Sequence, residues 1–178
     1  EYTIGNPNLP EVDIGPIINK NSKDRLMKHI LVMKKSAKRT IEHHRKQNKD
    51  DLFITPIVFE IEGINQIDGE NFGPILHFIR YKNENLDRVI DEINNTGYGL
   101  TMGLHSRIVN KARRIFEAAN VGNFYFNRDI VGAVVGVQPF GGQGLSGTGP
   151  KAGGPGYLYN FVTEKTYTDN VMALSLIH

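Results

Sequence analysis

The stretch Val137-Gln138-Pro139-Phe140-Gly141-Gly142-Gln143-Gly144-Leu145-Ser146-Gly147-Thr148-Gly149-Pro150-Lys151-Ala152-Gly153-Gly154-Pro155 decides how this chain is read. Its Gly142 to Gly147 portion satisfies G-x-G-x-x-G, a pattern used to bind a pyrophosphate. That chemistry needs a strand before the pattern and a helix opening within it, so that the phosphates meet the helix N-terminus. Here Thr148-Gly149-Pro150-Lys151 and Ala152-Gly153-Gly154-Pro155 follow, and no apolar helical stripe can start among them. The nucleotide fingerprint is therefore poorly supported. G-x-x-x-x-G-K-[ST] is absent too, so the loop is no Walker site. Glycines do let backbone N–H groups approach a ligand closely, and successive N–H groups make an anion nest. Such a loop suits a carboxylate or an oxyanion. A surface loop without a ligand is the alternative, and residue types alone leave both open.

Upstream of this loop, strand-like and helix-like segments alternate. Leu26, Ile30 and Met33 recur at helical spacing after a cap at Asn21 or Ser22. Residues 40–44 are a short strand candidate, and 47–51 a polar turn. Residues 52–61 (LFITPIVFEI) predict a strand with Pro56 at its start or on an edge. Residues 74–81 (PILHFIRY) predict a buried strand. Asn85 then caps an amphipathic helix with Leu86, Val89, Ile90 and Ile93 on one face, stopped by Gly97. Residues 100–105 read as a strand, and Val109, Ala112, Ile115, Phe116 and Ala119 as a second helical stripe. Residues 123–127 (NFYFN) and 161–169 (FVTEKTYTD) read as strands, and 132–156 as loop. Strands separated by helices predict an α/β fold with a largely parallel sheet flanked by helices.

The composition narrows the chemistry. The 178 residues carry 21 Lys+Arg against 19 Asp+Glu, a formal net charge of +2, too balanced to argue for nucleic-acid binding. Hydrophobic residues are 39% and charged residues 22%, an ordinary globular mixture. There is no cysteine, which excludes disulfides, thiolate metal sites and any thiol nucleophile within these residues. No apolar run reaches the roughly 18–20 residues of a membrane span. The chain opens on Glu1 in a polar loop, which suggests a piece of something longer.

Other candidate groups have ordinary explanations. Lys34, Lys35, Lys38, Arg39, Arg45, Lys46 and Lys49 lack interleaved aromatics, so a solvated helix end and turn is expected rather than a phosphate site. His43 and His44 are neighbours on a strand candidate, point to opposite faces, and do not suggest a metal site; none is expected. Glu70 alone reads as an exposed turn carboxylate, and Ser146 lacks a nucleophile-elbow setting.

Taken together, the segments resemble the C-terminal third of the aldehyde dehydrogenase superfamily. The resemblance rests on Glu70-Asn71-Phe72-Gly73-Pro74, on Asn94-Asn95-Thr96-Gly97-Tyr98-Gly99-Leu100, on the strand ending at Asn127, and on Pro139-Phe140-Gly141-Gly142 with Ser146-Gly147, in matching order and approximate spacing. Gly5-Asn6-Pro7, Gly15-Pro16 and Thr163-Glu164-Lys165-Thr166 fit as well, so all but the last few residues are covered. The glycine-rich run from Val137 to Pro155 is most similar to the L-glutamate γ-semialdehyde (Δ1-pyrroline-5-carboxylate) dehydrogenases. Within these it looks most like the C-terminal region of bacterial bifunctional proline utilisation proteins.

The resemblance implies roles. Glu70 matches a carboxylate that holds a ribose of NAD, and Phe72 an aromatic near the nicotinamide. Gly153 and Gly154 match the loop whose N–H groups anchor the substrate's α-carboxylate, in agreement with an anion nest. Phe161 matches an aromatic lining the aliphatic part of the substrate, and Asn127 and Phe140 match residues shaping the cleft. The family's chemistry is attack of a cysteine thiolate on the aldehyde, hydride transfer to NAD, and hydrolysis by a water that a glutamate activates. The matching cysteine, glutamate and Rossmann domain lie upstream of the region resembled, so no residue here is assigned a catalytic role.

The expected organisation is a partial catalytic domain over 1–156, an oligomerisation strand over 157–170 and a tail over 171–178. The expected function is the C-terminal part of an NAD-dependent dehydrogenase of proline catabolism, inactive alone. Its expected partners are an aldehyde carrying an α-carboxylate, the remainder of the dehydrogenase, and further copies of the chain. A cytoplasmic location is implied, membrane-peripheral if the chain is part of a bifunctional protein. A subunit of a split dehydrogenase and a non-catalytic oligomerising module are the alternatives.

Overall fold

The computed structural model describes residues 2–42, 52–170 and 172. They form two compact units, Glu1–Glu92 and Ile93–His178.

In the first unit, helix α1 (Lys20–Ser36) begins where the extended backbone of Asn19 ends. The Asn19 side chain accepts a hydrogen bond from the Ser22 N–H at 2.8 Å. The cap is thus Asn19, not Asn21 or Ser22, which already lie in the first turn, where their backbone is helical. One side of α1 buries Leu26, Ile30 and Met33, as their spacing predicts. These pack with Ile17, Ile54, Ile57, Phe59 and Ile61 into one apolar cluster. Burying each such side chain contributes about 1.5–3 kcal/mol.

The sheet beneath α1 has the order β1 (Arg39–Glu42), β2 (Ile57–Ile61), β3 (Ile75–Ile79). Strand β1 runs antiparallel to β2, and β3 parallel to it with Phe59 opposite His77. Ile57, Phe59 and Ile61 are buried on alternate positions, the period-2 pattern of a strand. Pro56, which has no N–H, sits immediately before β2, as expected. The chain passes into the second unit within α2 (Leu86–Asn94). Its lead-in is a 3-10 turn, Asn83–Asn85, so Asn85 lies inside that turn rather than capping the helix by its side chain.

The second unit contains β4 (Tyr98–Gly99), β5 (Thr101–Leu104), α3 (Val109–Ala118), β6 (Asn123–Phe126) and β7 (Gln143–Gly144). Strands β5 and β6 are parallel and joined through α3, while β4 and β7 are antiparallel. Gly97 follows α2 at φ +76°, a left-handed conformation that suits glycine, and turns the chain towards β4.

Two expectations change. The described strands form three short sheets, with β2–β3 and β5–β6 parallel and the other pairings antiparallel, rather than one largely parallel sheet. Residues 157–170 are not a strand in this chain. Tyr157–Phe161 is a 3-10 turn, and the exposed residues 162–170 pair with no strand among the described residues. Their alternation is compatible with a strand, but a ladder also needs an edge to bond to. Residues 171–178, apart from Met172, lie outside the described residues, as do His43, His44, Arg45, Lys46, Lys49 and the turn expected at 47–51.

Candidate functional site

The glycine-rich loop closes on itself. Phe140 and Ala152 exchange two backbone hydrogen bonds, at 2.9 and 3.0 Å. Between them, Gln143 and Gly144 form β7 against β4, and no helix opens after Gly147, as the sequence implies. The Ser146 hydroxyl accepts from the Gly99 N–H at 3.1 Å, a structural use of that side chain. Glycine is required at 147, where a Cβ would collide with the Gly142 carbonyl.

Gly153 and Gly154 follow this closure and are half-buried. Gly153 adopts φ +72°, and its carbonyl accepts from the Gly136 N–H at 2.7 Å. The N–H groups of Gly153 and Gly154 donate to no other group among the described residues. Two adjacent free donors are the equipment of an anion nest. The chain then turns into Tyr157–Phe161, where the Tyr157 and Phe161 rings meet edge to face at 5.1 Å. Phe161 remains 69% exposed, an apolar surface available to a ligand or a partner.

The residue that ties this loop to the sheet carried no signal in the sequence. Asn123, at the start of β6, is 8% exposed. Its Nδ2 donates to the Pro139 carbonyl at 3.0 Å, and its Oδ1 accepts from the Gly141 N–H at 3.2 Å. The Lys151 ammonium also reaches Oδ1, at 3.4 Å, and donates to the Gly122 carbonyl.

Asn127, at the far end of β6, has φ +56°, the one left-handed non-glycine residue among those described. Its carboxamide bonds the Ser106 backbone twice, donating at 3.0 Å and accepting at 2.9 Å. Asn127 therefore shapes the ends of β5 and β6, with one of its two amide N–H donors committed to Ser106. Phe140 is half-buried at the base of the loop.

Glu70 and Phe72 belong to the first unit, on the turn that enters β3. Gly73 presses against Leu26 of α1, whose Cδ1 lies 2.7 Å from where a Cβ would be. The Pro74 carbonyl accepts from the Ile57 N–H at 3.0 Å, so this turn is pinned on both sides. The Glu70 carboxylate makes no hydrogen bond or ion pair among the described residues, and Phe72 is 78% exposed. This turn thus presents a free carboxylate acceptor and, two residues on, an exposed ring.

Beyond that turn, His29 of α1 and His77 of β3 meet at 2.8 Å between their Nε2 atoms. Burial pulls both below the ordinary histidine range. The negative charge of Asp68 opposes this at His29, and the charge of His29 adds to it at His77. Two residues of the basic stretch are ion-paired, Lys34 of α1 with Glu42 at 2.6 Å and Lys38, just before β1, with Glu62 at 3.5 Å. Among the described residues no group of three His, Asp or Glu side chains is placed to hold a metal, and no helix is long and apolar enough to cross a membrane.

The sequence profile of the aldehyde dehydrogenase family matches residues 1–167. The chain belongs to that family. Among aldehyde dehydrogenases it is 44% identical over 172 residues to the bifunctional protein PutA of Klebsiella aerogenes, covering 93% of this chain and 13% of PutA. It superimposes on a crystal structure of Bradyrhizobium japonicum proline utilization A with a TM-score of 0.87 at 49% identity, covering 98% of this chain and 18% of that one. A Thermus 1-pyrroline-5-carboxylate dehydrogenase with bound NAD gives a TM-score of 0.75 at 36% identity, over 90% of this chain and 31% of that one. The chain thus has an aldehyde dehydrogenase fold of mixed helices and strands, and spans less than a third of each relative.

Proposed function

We propose that this chain supplies the carboxylate-anchoring part of an aldehyde dehydrogenase site that oxidises L-glutamate γ-semialdehyde to L-glutamate in proline catabolism. The observation that carries this reading is the pair of free N–H groups at Gly153 and Gly154, which follow the Phe140–Ala152 closure and precede the turn that carries Phe161. Two N–H donors match one carboxylate. Phe161 offers the methylene chain of the substrate an apolar wall, and Phe140 and Asn127 shape the scaffold around it. Glu70 would hold a ribose of NAD and Phe72 would pack near its nicotinamide. NAD, when bound, supplies the hydride acceptor.

The chain has no cysteine, so the attacking thiolate must come from elsewhere. Thiolate, activating glutamate and dinucleotide domain would belong to further parts of the same enzyme or to a second chain. The exposed segment 162–170 would add as a strand to the sheet edge of another copy.

Two assays test the reading. Incubated with semialdehyde and NAD, the 178-residue chain alone is expected to form no NADH. A chimera in which it replaces the matching part of the Thermus enzyme is expected to do so. Turnover by the chain alone, or a folded, NAD-binding chimera without turnover, would overturn the proposal.

A further inference from the structure

We infer that Asn123 and Lys151 are positioning residues that set the aim of the two anion-binding N–H groups. This rests on the reading of Gly153 and Gly154 as the carboxylate anchor. The loop has two arms, 139–141 running out and 151–153 returning. One side chain holds both. Asn123 binds the outgoing arm twice, at the Pro139 carbonyl and the Gly141 N–H, and its Oδ1 meets the Lys151 ammonium on the returning arm. An amide oxygen has two acceptor sites, and both are used here.

Lys151 also donates to the Gly122 carbonyl, so the returning arm is fastened to the residue that precedes β6. Next along the chain, the Ala152 N–H is spent on the Phe140 carbonyl. The Gly153 carbonyl is held by Gly136, and across a trans peptide the Gly154 N–H points the opposite way. The direction of the anchor is therefore inherited from fixed neighbours on either side. Asn123 is the buried one, and Lys151 places a positive charge two residues before the nest. Glycines could otherwise adopt many conformations here, and a binding site loses affinity when its donors wander.

The test is a titration of the isotopically labelled full chain with L-glutamate, followed by amide NMR. The wild-type chain is expected to show its largest shifts at Gly153 and Gly154. Lys151→Met and Asn123→Ala are expected to weaken that binding by about tenfold. Lys151→Arg, which keeps charge and donors, should restore it. The β5 and α3 signals, from the same unit as the substitutions, report whether each variant is folded. If Asn123→Ala does not fold, the Lys151→Met and Lys151→Arg pair decides. Wild-type shifts at Gly153 and Gly154 with unchanged affinity in Lys151→Met would overturn the positioning role alone. Absence of those shifts in the wild-type chain would overturn the carboxylate reading and this inference with it.

Discussion

The carboxamide of Asn127 and the backbone of Ser106 exchange two hydrogen bonds, at 2.9 and 3.0 Å. The side chain thereby extends the β5–β6 ladder by one step after the Asn127 N–H has bonded the Leu104 carbonyl. Asparagine is suited to this because it tolerates the left-handed φ of +56° and carries both a donor and an acceptor.

Asn127→Ala should therefore lose both bonds and strain the backbone, destabilising the chain by about 1–3 kcal/mol. Asn127→Gly should recover about 1 kcal/mol of this by relieving the strain. Urea unfolding of the three chains measures the order. A glycine variant no more stable than the alanine variant would show that strain plays no part.

The His29–His77 contact makes stability depend on pH. Both imidazoles titrate below their ordinary range when folded. The unfolded chain therefore binds more protons in that window, and stability rises with pH through it. The contribution is present above about pH 6.5 and is lost as pH falls through the lowered folded values. The urea midpoint should drop on acidification, and His77→Gln should flatten the drop. An equal slope in both proteins would place the effect elsewhere.

Close packing distinguishes two glycines that look alike in the sequence. A Cβ at Gly122 would collide with the Gly141 carbonyl, whereas at Gly149 nothing lies within 4 Å. Gly122→Ala should cost about 1–3 kcal/mol. Gly149→Ala should be neutral or stabilise by up to about 1 kcal/mol, because the unfolded chain loses freedom. Thermal melts of the two variants separate these outcomes.

The start of α1 offers a fourth check. Asn19→Ala removes the cap and should cost about 0.5–2 kcal/mol, while Asn21→Ala, within the first turn, should change stability little. Equal losses at both positions would mean that the Asn19 bond to Ser22 contributes nothing.

By itself, the sequence determined whatever depends on near neighbours. The stripe Leu26, Ile30, Met33 specifies α1, because one helical face repeats every three or four residues. Pro56 marks the start of β2, because it cannot donate to a ladder. The run from Val137 to Pro155 announced a loop without a helix, and with it the family. The absence of cysteine excluded a thiol nucleophile within these residues.

Tertiary structure alone decided what joins distant residues. Asn123 reads as an ordinary strand residue until its partners, 16 to 28 positions away, are brought to it. His29 and His77 stand 48 positions apart and carry no shared pattern. The alternation of residues 161–169 promised a strand, yet Phe161 lies in a 3-10 turn and the rest pairs with nothing described. Side-chain pattern says which face of a strand is apolar. It does not say whether an edge is present to receive the backbone hydrogen bonds, and that is settled only by the rest of the fold.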